Sequence, residues 1–112
     1  MKVPVRLTQG SSYRLRVALE NDDGSPVVVG GLTIRAQFRD SYGGTLRHEC
    51  TLANGGIEVE PAGLWFDLVI PAADTAALPV GGGVYDLELA TTNGEVCKPF
   101  SGGWTCFPEV TT

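Results

Sequence analysis

The chain is poor in the side chains that most often carry chemistry. It has one histidine and three cysteines in 112 residues, and no two of the cysteines form a CxxC pair. A zinc centre needs three or four convergent ligands, and His48 with the scattered Cys50, Cys97 and Cys106 has no ligand spacing. His48 is the one residue suited to proton transfer near neutral pH without a shifted pKa. No GxSxG elbow offers it a serine, and Cys50, two residues along the same strand, has no third group to orient the pair. Gly81-Gly82-Gly83 is followed by neither Lys-Ser nor Lys-Thr, so it is not a phosphate loop; it reads as the flexible start of a strand. Asn21-Asp22-Asp23-Gly24 lacks the DxDxDG spacing and the distal glutamate of a calcium loop.

Basic residues are also scarce. Eight Lys and Arg stand against 13 Asp and Glu, a net charge of −5, which argues against binding a phosphate backbone. No window approaches the roughly 18–20 apolar residues of a membrane span. The opening Met1-Lys2-Val3-Pro4-Val5-Arg6 lacks the apolar core of a signal peptide. These absences set the expectation of a chain that is not an enzyme, holds no cofactor or metal, and takes neither nucleic acid nor membrane as a partner.

Long helical periodicity is missing too, and what replaces it is alternation. Tyr13, Leu15, Val17 and Leu19 alternate with Arg14, Arg16 and Ala18; Leu32, Ile34, Ala36 and Phe38 alternate with Thr33, Arg35, Gln37 and Arg39. Such period-two patterning marks strands with one buried and one wet face. Residues 3–8, 45–52, 57–60, 64–70 and 84–89 continue the series. Glu95–Phe100 and Trp104–Phe107 follow as two strands separated by a turn at Ser101-Gly102-Gly103. The sequence holds 15 glycines and 7 prolines, and turn signals such as Asn54-Gly55 and Asn93-Gly94 recur every 8–12 residues or so. About 112 residues of this kind suit one all-β domain, an antiparallel β-sandwich of about eight short strands. Residues 72–78 have room for one helical turn capped by Asp74 or Thr75. The segment 108–112 reads as an extended tail.

Parity assigns the side chains. Tyr85, Leu87 and Leu89 face the core, with Asp86 and Glu88 outside as a solvated or partner-facing stripe. Cys50 and Cys106 face inward and His48 sits near the rim. Val96 and Phe100 point inward, which leaves Cys97 outside and open to a disulfide with a neighbouring subunit; a Cys97–Cys106 bridge is disfavoured by opposite facing. Trp65 and Val69 are apolar residues on the outer face of residues 64–70, and so are candidate contact residues. Arg14 and Arg16, with Arg35 and Arg39, form a basic face able to meet the acidic Asp86 and Glu88 of another copy.

The order of these features carries a resemblance. Gln9-Gly10 precedes an alternating strand, then Asp23-Gly24, Pro26, Val28-Val29-Gly30-Gly31 and a strand ending in Phe38-Arg39. Ile70-Pro71-Ala72, Thr75-Ala76, Leu78, a glycine, Tyr85-Asp86-Leu87-Glu88-Leu89, Asn93-Gly94, Gly102 and Pro108-Glu109-Val110-Thr111 follow. This set resembles small immunoglobulin-like β-sandwich domains of tailed bacteriophages, both the N-terminal domains of baseplate and tail-fibre proteins and free-standing virion proteins. It spans most of the chain; the three cysteines and the glycines at 81–83 depart from it. The resemblance implies a non-enzymatic virion structural protein, an assembly or adaptor module of the tail, baseplate or fibre attachment region. It would be made in a host bacterial cytoplasm and contact other virion proteins and copies of itself in a symmetric assembly. A capsid or neck decoration protein is the alternative location. A receptor- or carbohydrate-binding module is the alternative class, with Trp65, Tyr42 and Tyr85 as stacking surfaces.

Overall fold

The computed structural model describes residues 2–110. Eight strands and one short helix follow in order: β1 (Val5–Thr8), β2 (Tyr13–Val17), β3 (Thr33–Arg39), β4 (Leu46–Thr51), β5 (Ile57–Val59), β6 (Phe66–Ile70), α1 (Ala72–Ala76), β7 (Gly81–Ala90) and β8 (Val96–Phe107). They form a five-stranded sheet, β1-β8-β7-β3-β4, and a three-stranded sheet, β2-β6-β5. The orders β2-β6-β5 and β4-β3-β7-β8 are those of an immunoglobulin-type sandwich, strands B-E-D and C′-C-F-G. The disulfide that joins strands B and F in antibody domains has no counterpart, because β2 and β7 contain no cysteine.

Between the sheets lies one core. Val5, Leu7, Val17, Val29, Ile34, Ala36, Phe38, Cys50, Phe66, Leu68, Ile70, Leu87, Leu89, Trp104 and Cys106 are all buried in it. The parities of β3, β6 and β7 read from the sequence agree with this burial. Three apolar residues of inner parity are nonetheless exposed: Leu46, Leu52 and Leu64. They lie at or beyond the ends of β4 and β6, where the opposite sheet no longer covers them.

Several expectations are corrected. The sandwich is not wholly antiparallel, since β1 pairs with β8 in parallel. A parallel pair needs a long connection, and here the whole domain lies between its first and last strands. Gly81–Gly83 is not a loose start but part of the ladder, opposite Cys106, Thr105 and Trp104. Ser101-Gly102-Gly103 is not a turn: β8 runs unbroken for 12 residues. Its glycines instead admit a neighbour, for a Cβ on Gly102 would stand 2.8 Å from the Val3 carbonyl oxygen. Neither Asp74 nor Thr75 caps α1, which begins after Pro71 without a side-chain cap. Thr75 is buried, and its hydroxyl donates to the Ser11 carbonyl at 2.8 Å, tying α1 to the β1–β2 turn. Of the expected tail, Pro108–Val110 is exposed, and Thr111 and Thr112 lie outside the described residues.

The glycine at 83 has a stronger reason. At the end of β3 the pairing with β4 shifts register between Phe38 and Arg39. The Arg39 carbonyl accepts the Trp104 indole N–H at 2.9 Å, and a Cβ on Gly83 would stand 1.9 Å from that same oxygen. Trp104 meets Phe38 edge-on at 6.5 Å, and Phe38 stacks on Tyr85 at 5.1 Å. Tyr85 donates its hydroxyl to the Val3 carbonyl, which pins the N-terminal segment to the sheet. Burial pushes the Tyr85 pKa up to about 12, keeping it a donor.

Gly83→Ala is therefore expected to displace the Arg39 carbonyl and break the Trp104 hydrogen bond. Overpacking and the lost bond together cost roughly 2–4 kcal/mol, measured by urea unfolding. Gly55→Ala, whose added methyl meets no neighbour within 4 Å, is expected to cost only about 1 kcal/mol through its positive φ.

Candidate functional site

On the outer face of the three-stranded sheet the register aligns Arg16 of β2 with Asp67 of β6, and Asp67 with Glu58 of β5. Arg14 lies opposite Val69. The Asp67 side chain is only 2% exposed, although it is on the solvent side of the sheet. It is roofed by the two arginines. Arg14 donates to Oδ2 at 2.6 Å, and Arg16 donates through Nε to Oδ1 at 3.0 Å. Arg14 also reaches Glu58 at 2.9 Å. The Arg16 guanidinium lies 3.6 Å over the Trp65 ring. Hydrogen bonds from Arg16, and then Arg14, hold the Asp67 carboxyl below the ordinary carboxylate range, against burial that acts the other way. Sequence reasoning misses Asp67 as a site residue. Its signal is a carboxylate directly between Trp65 and Val69, on a strand whose other face is wholly apolar.

The five-stranded sheet has its own charged outer face. Arg35 of β3 pairs with Glu88 of β7 at 3.4 Å, and Lys98 of β8 reaches Asp86 at 3.2 Å and Glu88 at 3.9 Å. With Gln37, Arg39 and Tyr42 these residues line a shallow polar groove of about 310 Å³. The six contact candidates thus divide between opposite faces of the sandwich: Arg14, Arg16, Trp65 and Val69 on one, Asp86 and Glu88 on the other. The single basic face of Arg14, Arg16, Arg35 and Arg39 does not exist, because β2 and β3 belong to different sheets. Its members are already engaged, Arg14 and Arg16 by Asp67, Arg35 by Glu88, and Arg39 by Gln37 and the Gly44 carbonyl.

The aromatic candidates separate as well. Tyr85 is core at 5% exposure and offers no stacking surface. Trp65 has one face covered by Arg16. Tyr42 is 84% exposed at the edge of the polar groove.

Cys50 and Cys106 are buried and Cys97 is exposed. Burial pushes the Cys50 thiol up to about 12 and raises that of Cys106, so neither is a ready nucleophile. Cys97 and Cys106 lie nine residues apart on the one strand β8, about 30 Å at strand rise, so a bridge between them is excluded. The parity argument for Cys97 is corrected. Val96 is 57% exposed rather than inward, because the β7–β8 register shifts between Leu87 and Leu89. Cys97 stands opposite core residue Leu89 and lines an apolar groove at the end of the sandwich. His48 is half-buried against Phe38, and burial lowers its pKa. Among the described residues no three His, Cys, Asp or Glu side chains are grouped to hold a metal.

No protein-family model matches the chain, and no curated protein matches it. Among solved structures, the chain is similar to an immunoglobulin domain in the ZIG-8–RIG-5 IG1–IG1 heterodimer. That match has 13% identity and a TM-score of 0.48, covering 96% of this chain and 83% of the other. It is also similar to the first immunoglobulin-like domain of human CD48, with 10% identity and a TM-score of 0.43, covering 98% and 85%. At these scores neither likeness adds to the fold, which the strand order itself establishes.

The sign of the Asp67 effect follows from its depressed pKa. The charged cluster stabilises the fold above the unfolded carboxylate value of about 4, and that contribution is lost as pH falls through the lower folded value. Asp67→Asn is expected to lower the thermal midpoint at pH 7, where it leaves two arginines without their buried counter-charge, and to flatten the acid limb of the stability profile below about pH 4. Glu58→Gln, at an exposed pair, is expected to change both far less. Thermal unfolding followed by circular dichroism from about pH 7 down to about pH 2.5 checks this; equal acid limbs for wild type and Asp67→Asn would refute it.

Proposed function

We propose that this chain is a non-enzymatic structural part of a tailed-bacteriophage particle, an assembly or adaptor module of the tail, baseplate or fibre attachment region. The supporting observation is the ordered sequence resemblance, whose pieces coincide with the points that hold the sandwich together. Thr75 ties α1 to the β1–β2 turn and Leu78 is buried beside it. Tyr85, Leu87 and Leu89 are the inner face of β7. Gly94 closes the β7–β8 turn at positive φ, its N–H donating to the Thr91 carbonyl. Gly102 admits Val3. Such a scaffold works by docking on neighbours in a symmetric lattice. It offers two polar faces and exposed strand edges at β4 and β5 for this.

Of the surface residues, Trp65 and Arg16 are the types most often found at interface hot spots. Arg16 stacks on Trp65 while bonded to Asp67, a fixed arrangement that lowers the ordering cost of binding. The alternative position on the capsid or neck differs in copy number rather than chemistry.

Quantitative mass spectrometry of purified particles and their subassemblies is expected to find the chain in the tail or baseplate fraction at tens of copies or fewer. Hundreds of copies in the head fraction would move it to capsid decoration, and absence from particles would overturn the reading. Cys97 is the exposed thiol among the described residues, so a disulfide between neighbouring subunits through it should give a dimer band on non-reducing gels of oxidised particles. The band is expected to collapse with reductant and to be missing in Cys97→Ser. A monomer band in every lane would remove the crosslink.

A further inference from the structure

The end of the sandwich that carries Cys97 has a feature the proposed docking faces do not use. The chain from Leu19 to Val27 folds into a small ribbon: Val27 N–H donates to the Leu19 carbonyl at 2.9 Å, and Asn21 N–H donates to the Ser25 carbonyl at 2.8 Å. This ribbon extends the β2 side of the sandwich, while the β7–β8 hairpin extends the other sheet. Between them the two layers part, leaving a groove of about 300 Å³ walled by Leu19, Val27, Leu32, Leu89, Cys97 and Pro99. Its rim is polar and acidic, with Glu20 on the ribbon side and Glu95 on the hairpin side. Asp22 and Asp23 are exposed in the ribbon's own turn.

The carboxylates of this end differ from those paired across the two sheets. On the two sheet faces and at the β3–β4 turn, Asp40, Glu58, Asp67, Asp86 and Glu88 each face an arginine or a lysine. Among the described residues no ion pair takes Glu20, Asp22, Asp23 or Glu95. Glu20 and Glu95 therefore stand at the groove as unneutralised carboxylates, in a chain whose net charge is already −5. An apolar floor releases water when covered, and its volume is ample for a leucine- or phenylalanine-sized side chain. A ring of unneutralised carboxylates attracts cations and repels acids.

We propose that this groove is a docking site for a basic segment of a partner protein, which lodges one apolar side chain between Leu19, Leu32 and Leu89 while its flanking Lys or Arg residues meet Glu20, Glu95 and the Asp22–Asp23 turn. A second copy offering the same end would bring like charge against like charge, so the occupant is a different chain. The site does not depend on where the protein resides, and it stands or falls separately from the virion reading.

The test uses the full chain, isotope-labelled for amide NMR, and three synthetic probes: Ac-Lys-Lys-Leu-Lys-Lys-NH2, its glutamate counterpart Ac-Glu-Glu-Leu-Glu-Glu-NH2, and Ac-Lys-Lys-Ser-Lys-Lys-NH2. The first is expected to shift the amides of Leu19, Leu89 and Cys97 saturably, and to weaken as salt is raised. The glutamate probe is expected to leave them unmoved, and the serine probe to bind roughly tenfold more weakly for loss of its apolar anchor. The exposed double change Glu20→Lys with Glu95→Lys is expected to weaken the first probe by about tenfold with the amide spectrum otherwise preserved. Equal binding of the basic and acidic probes, indifference to the double change, or no shift at millimolar probe would overturn the proposal. Groove shifts that grow with protein concentration alone would also overturn it, by making a second copy the occupant.

Discussion

One carbonyl oxygen organises the middle of this sandwich. Where β3 leaves regular pairing with β4, the Arg39 carbonyl accepts the Trp104 indole N–H. That position is open only because Gly83, on the strand between, has no side chain. Three strands of the five-stranded sheet are thereby locked by one contact, and the aromatic stack of Trp104, Phe38 and Tyr85 is set around it. Tyr85 passes the constraint on to Val3 and so to the first strand. A buried N–H without an acceptor would cost about 1–3 kcal/mol, so the glycine, the register shift and the tryptophan act as one unit. Antibody-type sandwiches clamp their sheets with a disulfide between strands B and F. Here an indole hydrogen bond and aromatic packing within one sheet accompany apolar packing between the layers.

The surface follows a second rule: opposite charges are paired across neighbouring strands on both faces. Cross-strand pairing brings opposite charges together on both sheets, Arg16 with Asp67 and Arg35 with Glu88. Pairs of this kind on exposed faces add little stability, but they hold long side chains in fixed places. Asp67 is the extreme case, a carboxylate covered by its own partners. The result is a rigid polar face carrying Trp65, suited to specific contact rather than to chemistry. The loops at the far end lack such partners. Two of their carboxylates, Glu20 and Glu95, border an apolar seam between the layers.

Alternation along the chain determined most of the strands, the inner faces of β3, β6 and β7, and the burial of Cys50 and Cys106, since period-two patterning records which side of a strand water touches. Turn residues located the connections at Asn21–Gly24 and Asn93-Gly94 for the same local reason. Glycine was the ambiguous letter. At Gly82, Gly83 and Gly102 it marks close approach of another segment rather than a bend, and only the neighbouring chain distinguishes the two. Sheet membership was likewise beyond local pattern: Arg14 and Arg35 carry the same signal, yet sit on opposite faces because β2 and β3 join different sheets. The register shift in β7–β8 turned Val96 outward and set Cys97 beside the apolar groove, and the covering of Asp67 required neighbouring strands side by side. Sequence by itself thus determined which residues face water or core within most strands, a property of neighbours along the chain. Tertiary structure decided which strands lie together, and with them the carboxylate clamp, the Gly83 contact and the acid-rimmed groove, because each is made by residues far apart in sequence.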